Sequence, residues 1–463
     1  MPESEKANKE TDIKSLISSL SKEEMAAIIL DVCERYPEVE KRIVFTYAPA
    51  EDEVKAAKKV IKECINRYKK RGFINYHDVF PALQGAEMTL EKADDKVERG
   101  ETETAVLLSL TVMGSVVAMI GHSDDSSGHA GFVIDQALKA INKAIESGVK
   151  DMNESERHTL FTALMKEARL KRYDGWTNWR LALMRCCVYL CDTNERRKKL
   201  ENELSKMLEA VPKQAWGRQS QIQQVKLIQL EVIEFCDGDA AAETFIHANL
   251  EHSAFREKAI ERLLAKEEYK EVIKLCEQGL EIDKDYRGLG TTWKKYQLQA
   301  YEALGDIQKQ RELLLEFLYG NDSTYYPKLK NLYSPEEWPQ VLQEIVDTFK
   351  QMPYLPSTYE EILIEEGLTA ELLESCKKTL LAIEHLYPYL VEEYPEAVNE
   401  LFIKHIKEEA DRSTERKQYR QVCKTIRLYQ KACGTDPAQT LIEELKDTHK
   451  RRPAFLDELN KIK

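Results

Sequence analysis

The sequence predicts an all-α chain: an α-solenoid of stacked helical hairpins, tetratricopeptide-like, behind an N-terminal helical bundle. Three observations carry this expectation. Glycine and proline supply only 32 of 463 residues, against roughly 12% in average proteins, while the strong helix formers Glu, Lys, Leu and Ala abound. Helix-start and helix-stop signals recur along the whole chain. No segment shows sustained alternation of apolar and polar residues between turn dipeptides, the mark of a half-buried strand.

The punctuation places the elements in order. Residues 1–11 read as a disordered tail. Ser21 and Glu24 form a capping box ahead of Met25, Ile28, Ile29 and Val32, and that stripe stops at Pro37. From about 53 to 72 a charged helix carries Val54, Ala57, Ile61, Cys64, Ile65 and Tyr68 on one side and closes at Gly72. Helices near 76–99, 102–120 and 131–147 follow, and the four together form a unit centred on 102–120. Its stretch from Thr104 to Gly121 holds 18 residues without a charge, at the lower edge of what spans a bilayer. Its two Thr, two Ser and two Gly and the lack of nearby Lys or Arg anchors favour the buried centre of a helical layer.

Between 150 and 250 the helices break at Asp174-Gly175, near Asp192, around Pro212 and at Asp237-Gly238. Residues 258–318 are the clearest tetratricopeptide-like hairpins, with Ala300, Tyr301 and Leu304 ahead of a turn at Gly305. Gly288-Leu289-Gly290 reads as a turn between helices. Ser334 to Glu337 is a capping box with proline at the first helical position, so a helix is expected to start there. MPYLPS (352–357) separates it from helices near 358–366, 369–386, 388–407, 415–432 and 437–450. The domains expected are 12–150, an N-terminal helical domain; 151–350, a helical-repeat region; and 351–463, a C-terminal helical-repeat region.

A formal net charge of −13 opposes general affinity for nucleic acid or anionic membrane. The ten cysteines lack regular spacing, and Cys33, Cys64, Cys276 and Cys376 fall among apolar residues, as reduced core thiols do. The polar start MPESEKANKETD carries no apolar leader, and the cytoplasm is the expected location.

Catalytic signatures are few. There is no glycine-rich phosphate loop. His122, Asp124, Asp125 and His129 in GHSDDSSGHAG bring carboxylate and imidazole donors together; the plainer alternative is a connection whose Asp125, Ser126 or Ser127 caps the next helix. Cys186, Cys187 and Cys191 lack the second ligand pair that zinc requires, and read as core thiols. No catalytic residue, cofactor or metal ligand is assigned.

The most specific surface feature is basic. Arg412, Arg416, Arg420, Lys424, Arg427 and Lys431 recur at steps of four or three, a continuous line along one helix, with Tyr419, Val422, Ile426 and Tyr429 on its core side. Residues 404–463 hold 15 Lys and Arg against 10 Asp and Glu, so this end is positive in an acidic chain. The line is a candidate contact for a protein partner or nucleic-acid phosphates; the alternative is a solvated face paired with neighbouring Glu.

Four stretches resemble the helical region that follows the zinc finger in bacterial SWIM zinc-finger proteins. They are RGFINYHDVFPAL (71–83), the GHSDDSSG loop with its following helix, NLYSPEEWPQVLQEIV (331–346) and KRRPAFLDELNKI (450–462). The finger itself needs Cys-x-Cys and Cys-x-His, and neither pattern occurs here. The resemblance therefore implies a helical scaffold and transfers no zinc site and no DNA contact. The expected function is a non-enzymatic scaffold binding a protein or peptide, in a complex that handles nucleic acid. Direct nucleic-acid binding through the basic helix is the second reading, and a metal-dependent enzyme at 122–129 the third.

Overall fold

The structure is a computed structural model that describes residues 13–48, 52–212, 214 and 217–462. The expected tail at 1–11 lies outside the described residues. Among those residues the fold is all-α: the remaining structure is turns, short 3-10 segments and two isolated bridges. The chain divides into two compact units, Met1–Arg262 and Leu263–Lys463.

The first unit contains α1 (Ile13–Ser19), α2 (Lys22–Arg35), α3 (Pro37–Tyr47), α4 (Glu53–Tyr68), α5 (Tyr76–Glu98), α6 (Thr102–Ile120) and α7 (His129–Gly148). It continues with α8 (Glu154–Ala168), α9 (Thr177–Cys186), α10 (Asn194–Ala210), α11 (Arg218–Asp237), α12 (Asp239–His247) and the start of α13 (Ser253–Ala265). Ser21 and Glu24 exchange both hydrogen bonds of the expected capping box, at 3.1 and 2.9 Å. That arrangement satisfies donors that the first turn of α2 leaves free.

Helix α6 is the centre of this unit. It packs on α4, α5, α7 and α8, and Val106, Leu108, Val112, Met113 and Val116 are fully buried. It is long and apolar enough to cross a membrane, but its apolar surface is covered by its neighbours. Three of its hydroxyls are accommodated locally: Ser109, Thr111 and Ser115 donate to the carbonyls of Ala105, Leu107 and Thr111 at 2.7–2.8 Å, so these groups are not stranded in the core. Gly85 of α5 lets α4 approach closely, since a Cβ there would lie 2.9 Å from the Ile61 Cα and the Val60 carbonyl oxygen. The main core runs from Ile61 to Val232, through position 150 where the sequence divides the chain.

The second unit completes α13 and adds α14 (Tyr269–Ile282), α15 (Arg287–Leu304), α16 (Ile307–Tyr319), α17 (Tyr326–Lys330), α18 (Trp338–Lys350) and α19 (Ser357–Glu365). It ends with α20 (Thr369–Lys378), α21 (Ile383–Leu390), α22 (Pro395–Arg412), α23 (Arg416–Cys433), α24 (Thr435–Thr448) and α25 (Pro453–Leu459). Successive helices pack on one another, α14 on α15, α15 on α16, α22 on α23 and α23 on α24. Gly279 admits the Trp293 indole, whose nearest atoms would stand 2.9–3.0 Å from an added Cβ. The turns at Gly305 and Glu267 share one geometry: each has a left-handed φ, +69° and +60°, and the next amide bonds back to Tyr301 or Leu263 at 3.0 or 2.9 Å. This is the Schellman closure that ends a helix sharply. The core of this unit runs from Leu298 to Leu459, across position 350.

Three local expectations change. The Ser334 capping box forms, with Glu337 N and Ser334 Oγ at 3.2 Å, but it closes a turn, and the regular helix starts at Trp338. Gly288 and Gly290 lie in the first turns of α15, not in a turn between helices. Pro388 sits inside α21; the chain breaks instead around Thr379, whose backbone is extended. A proline near the end of a short helix costs only one internal hydrogen bond.

Candidate functional site

The segments 71–83 and 121–132, distant in sequence, meet at one end of the α5–α6–α7 bundle. Ile74 is fully buried; its amide donates to the His122 carbonyl and its carbonyl accepts from the Asp124 amide, both at 2.9 Å. The loop after α6 is thereby pinned to the entry of α5. The Asp125 carboxylate accepts from the amides of Ala130 at 2.8 Å and Gly131 at 3.2 Å, capping α7 where its free amides favour a negative charge. The carboxylate of Asp124 accepts from the Ser126 amide and hydroxyl, which hold its pKa below the usual carboxylate range. Both carboxylates of the loop are thus occupied in building the helix start. His122 and His129 are exposed.

What this arrangement does present is an aromatic surface. Tyr76 and Phe80 are one turn apart on α5, and His129 and Phe132 nearly one turn apart on α7, so each pair shares a face. The Phe80 and His129 rings pack at 5.5 Å. Phe80 is 51% exposed and Phe132 62%. Val79, Leu83, Val133 and Ile134 of the same helices are buried, so the exposed rings stand on a rigid base. Beside them, burial and the neighbouring Glu91 raise the pKa of Glu87, against the opposing charges of His129 and Arg42. The sequence reading missed this patch, although Phe80 falls off the apolar phase set by Val79, Leu83 and Ala86.

A second exposed apolar face lies on α2. Helix α2 has no buried residue, and the stripe expected to be its core face leaves Ile28 51% and Ile29 48% exposed.

The basic line is interrupted. Arg412 ends α22, and Ser413 and Glu415 are extended, so the six residues do not lie along one helix. The break is stabilised by Arg452, which donates to the carbonyls of Ala410 at 2.8 Å and Ser413 at 3.0 Å, acceptors that a helix end leaves free. Arg412 pairs with Glu408 at 2.7 Å, Arg416 with Asp457 at 2.9 Å and Glu458 at 3.2 Å, and Arg420 with Glu458 at 3.5 Å. Lys424, Arg427 and Lys431 are exposed on α23 and form no ion pair among the described residues. Tyr419, Val422, Ile426 and Tyr429 face the core as the spacing implies.

Cys186, Cys187 and Cys191 are buried free thiols, and burial pushes the pKa values of Cys186 and Cys191 up to about 12. Protonated thiols are poor nucleophiles and poor metal ligands.

One group of ligand-type side chains does converge. His405 and Glu409 sit one turn apart on α22, Glu384 comes from the first turn of α21, and Thr425 from α23. The Nε2 of His405 lies 3.0 Å from Glu384 Oε1. Thr425 Oγ1 lies 2.8 Å from Glu384 Oε1 and 3.1 Å from Glu409 Oε2. Burial, with the nearby Glu384 charge adding to it, raises the pKa of Glu409 against the opposing Thr425 hydroxyl and His405. The sequence shows His405 and Glu409 at helical spacing; nothing local indicates that Glu384, 21 residues earlier, completes the group.

No curated protein matches this chain. A family description does, over residues 7–320, which include the aromatic patch and exclude the Glu384 cluster. The match spans more than half of the sequence, and the chain belongs to the family of unknown function DUF6880.

Proposed function

We propose that this protein is a non-enzymatic helical scaffold of the cytoplasm that binds a protein or peptide partner through the Tyr76–Phe80–His129–Phe132 patch. The observation that carries the proposal is the exposure of Phe80 and Phe132 on helices whose Val79, Leu83, Val133 and Ile134 are packed. Aromatic side chains on a rigid base lose little entropy on docking and dominate interface energies. Burying the still-exposed half or so of each ring stabilises a complex by about 1–2 kcal/mol. The uncovered α2 face offers further apolar surface in the same unit. In the loop nearby, Asp125 caps α7 and Asp124 holds the Ser126 turn, a structural use of both carboxylates that fits the scaffold reading.

The test compares affinity capture from lysate by the full chain and by the double variant Phe80→Ala, Phe132→Ala, with and without nuclease. The scaffold reading expects a protein set that survives nuclease and is lost with the double variant at unchanged melting temperature. An identical set with both chains overturns it. Direct nucleic-acid binding is the second reading, favoured by the unpaired Lys424, Arg427 and Lys431. It expects partners that vanish with nuclease and binding that weakens steeply with salt, by roughly one power of salt concentration per neutralised phosphate.

A further inference from the structure

Three helices of the second unit bring two carboxylates, an imidazole and a hydroxyl into one small volume. The ligand atoms of Glu384, His405 and Glu409 all lie within 4.8 Å of one another. His405 is 9% exposed and Thr425 fully buried, while Glu384 and Glu409 are half-buried and keep part of their surface open to solvent, the side from which an ion enters.

The hydrogens do not match the contacts. Three short contacts join these groups: His405 Nε2 to Glu384 at 3.0 Å, and Thr425 Oγ1 to Glu384 at 2.8 Å and to Glu409 at 3.1 Å. A neutral imidazole protonated at Nε2 supplies one hydrogen, and the hydroxyl supplies one. The Gln421 carbonyl is a third acceptor for the same hydroxyl, at 3.3 Å. With both carboxylates ionised, at least one hydroxyl–carboxylate contact therefore brings two acceptors together with no hydrogen between them, and where the groups are half-buried that contact is unfavourable. A second proton on His405 leaves it unrelieved, because both contacts in question belong to Thr425. A positive species placed among the oxygens relieves it, either a proton on a carboxylate or a metal cation.

We propose that Glu384, His405 and Glu409 bind one divalent first-row transition-metal ion, with Thr425 positioning the two carboxylates. One imidazole nitrogen and two carboxylate oxygens suit Mn2+, Fe2+ or Zn2+ better than Mg2+ or Ca2+, which favour all-oxygen sites. Bonds of about 2.1 Å in tetrahedral geometry set ligands about 3.4 Å apart. That separation lies between the 3.0 Å of His405–Glu384 and the 4.8 Å bound of the whole group. The ion replaces the His405–Glu384 hydrogen bond, and a rotation of the Glu409 side chain brings its oxygen into range. His405 and Glu409 share one face of α22 because they are four residues apart. The ion consequently ties α21 to α22.

The test uses the full chain, stripped by chelator, and Mn2+, which the ten thiols attract far less than they attract Zn2+. Free Mn2+ is read from its electron paramagnetic resonance signal, and melting temperature is followed in parallel. The expected result is saturable uptake of one Mn2+ per chain, a higher melting temperature with Mn2+, and no such rise with equal Mg2+. Glu409→Gln keeps the side-chain shape and a hydrogen-bonding oxygen for Thr425. This variant and His405→Gln are expected to retain the helical circular dichroism of the parent and to weaken Mn2+ binding at least tenfold. Failure of the parent to take up one equivalent, or undiminished uptake by the folded Glu409→Gln and His405→Gln variants, overturns the proposal. The first of these outcomes would leave the site holding a proton only.

Discussion

Arg196 donates to both carboxylate oxygens of Glu154, at 2.7 and 3.0 Å, from a side chain that is 2% exposed. The same guanidinium reaches the Leu190 carbonyl at 2.6 Å and the Asp192 carboxylate. Three features of the chain therefore hang on one side chain: the start of α8, the 3-10 turn Val188–Leu190, and the start of α10. Replacement by Met fills the volume but leaves the Leu190 carbonyl without this donor. Arg196→Met is expected to lower stability by roughly 2–3 kcal/mol, read as a drop in urea midpoint at unchanged slope. A midpoint equal to the parent's would show that the fork contributes nothing.

Helices α4 and α5 are in near contact at Gly85. An alanine there places its Cβ 2.9 Å from two backbone atoms, the Ile61 Cα and the Val60 oxygen, and backbone cannot yield as a side chain can. Gly85→Ala is expected to destabilise by about 1–3 kcal/mol although alanine is the better helix former by about 1 kcal/mol. Gly121 has open space around it and a right-handed helical φ of −61°. Gly121→Ala serves as the contrast, with stability equal to or above the parent's in the same urea titration.

Glu366 accepts from Tyr326 at 2.9 Å, Lys330 at 2.5 Å and Trp338 at 3.4 Å. Burial alone would raise its pKa, but the Lys330, Tyr326 and Trp338 hydrogen bonds outweigh it, and the value is lowered from 4.5. A carboxyl with a depressed folded pKa contributes stability that is fully present above the unfolded value. That contribution is lost as pH falls through the folded value. The parent is therefore expected to lose more stability between pH 7 and pH 3 than Glu366→Gln does. Parallel pH dependences, measured by urea unfolding, would remove Glu366 from the acid sensitivity of the second unit.

Arg416 and Lys424 stand on the same helix with different surroundings. Arg416→Glu faces Asp457 and Glu458, its former partners, so like charges repel across the α23–α25 contact. It is expected to lower the melting temperature and speed amide exchange in α25. Lys424→Glu, with Arg427→Glu, alters an exposed stretch and is expected to change stability by no more than about 0.5 kcal/mol. Equal exchange in α25 for both variants would show that the Arg416 pairs do not hold it.

The helices themselves were legible because their signals are local. The Ser21–Glu24 box, the left-handed Gly305 turn and the apolar phase of Tyr419, Val422, Ile426 and Tyr429 each depend on residues within a turn or two. So does the absence of charge from Thr104 onward in α6, which marked it as a buried centre. The cap on α7 is a partial case: the cluster Asp125, Ser126 and Ser127 sufficed to expect one, and the structure assigns it to Asp125.

The sequence by itself determined an all-helical chain, the approximate extent of its helices and the identity of its central buried helix. Only the tertiary structure decided which faces remain open and which polar groups meet. Among the described residues, Phe80 stays exposed because no helix covers that side of α5, and Ile28 because α3 packs on α2 without covering that face. Glu384 reaches His405 because α21 packs on α22, and Arg416 is neutralised because α25 returns to α23. Hydrogen bonding within a helix fixes position along the chain to within a turn. Contacts between helices depend instead on loop geometry and on which side chains interdigitate, and those are properties of the packed whole.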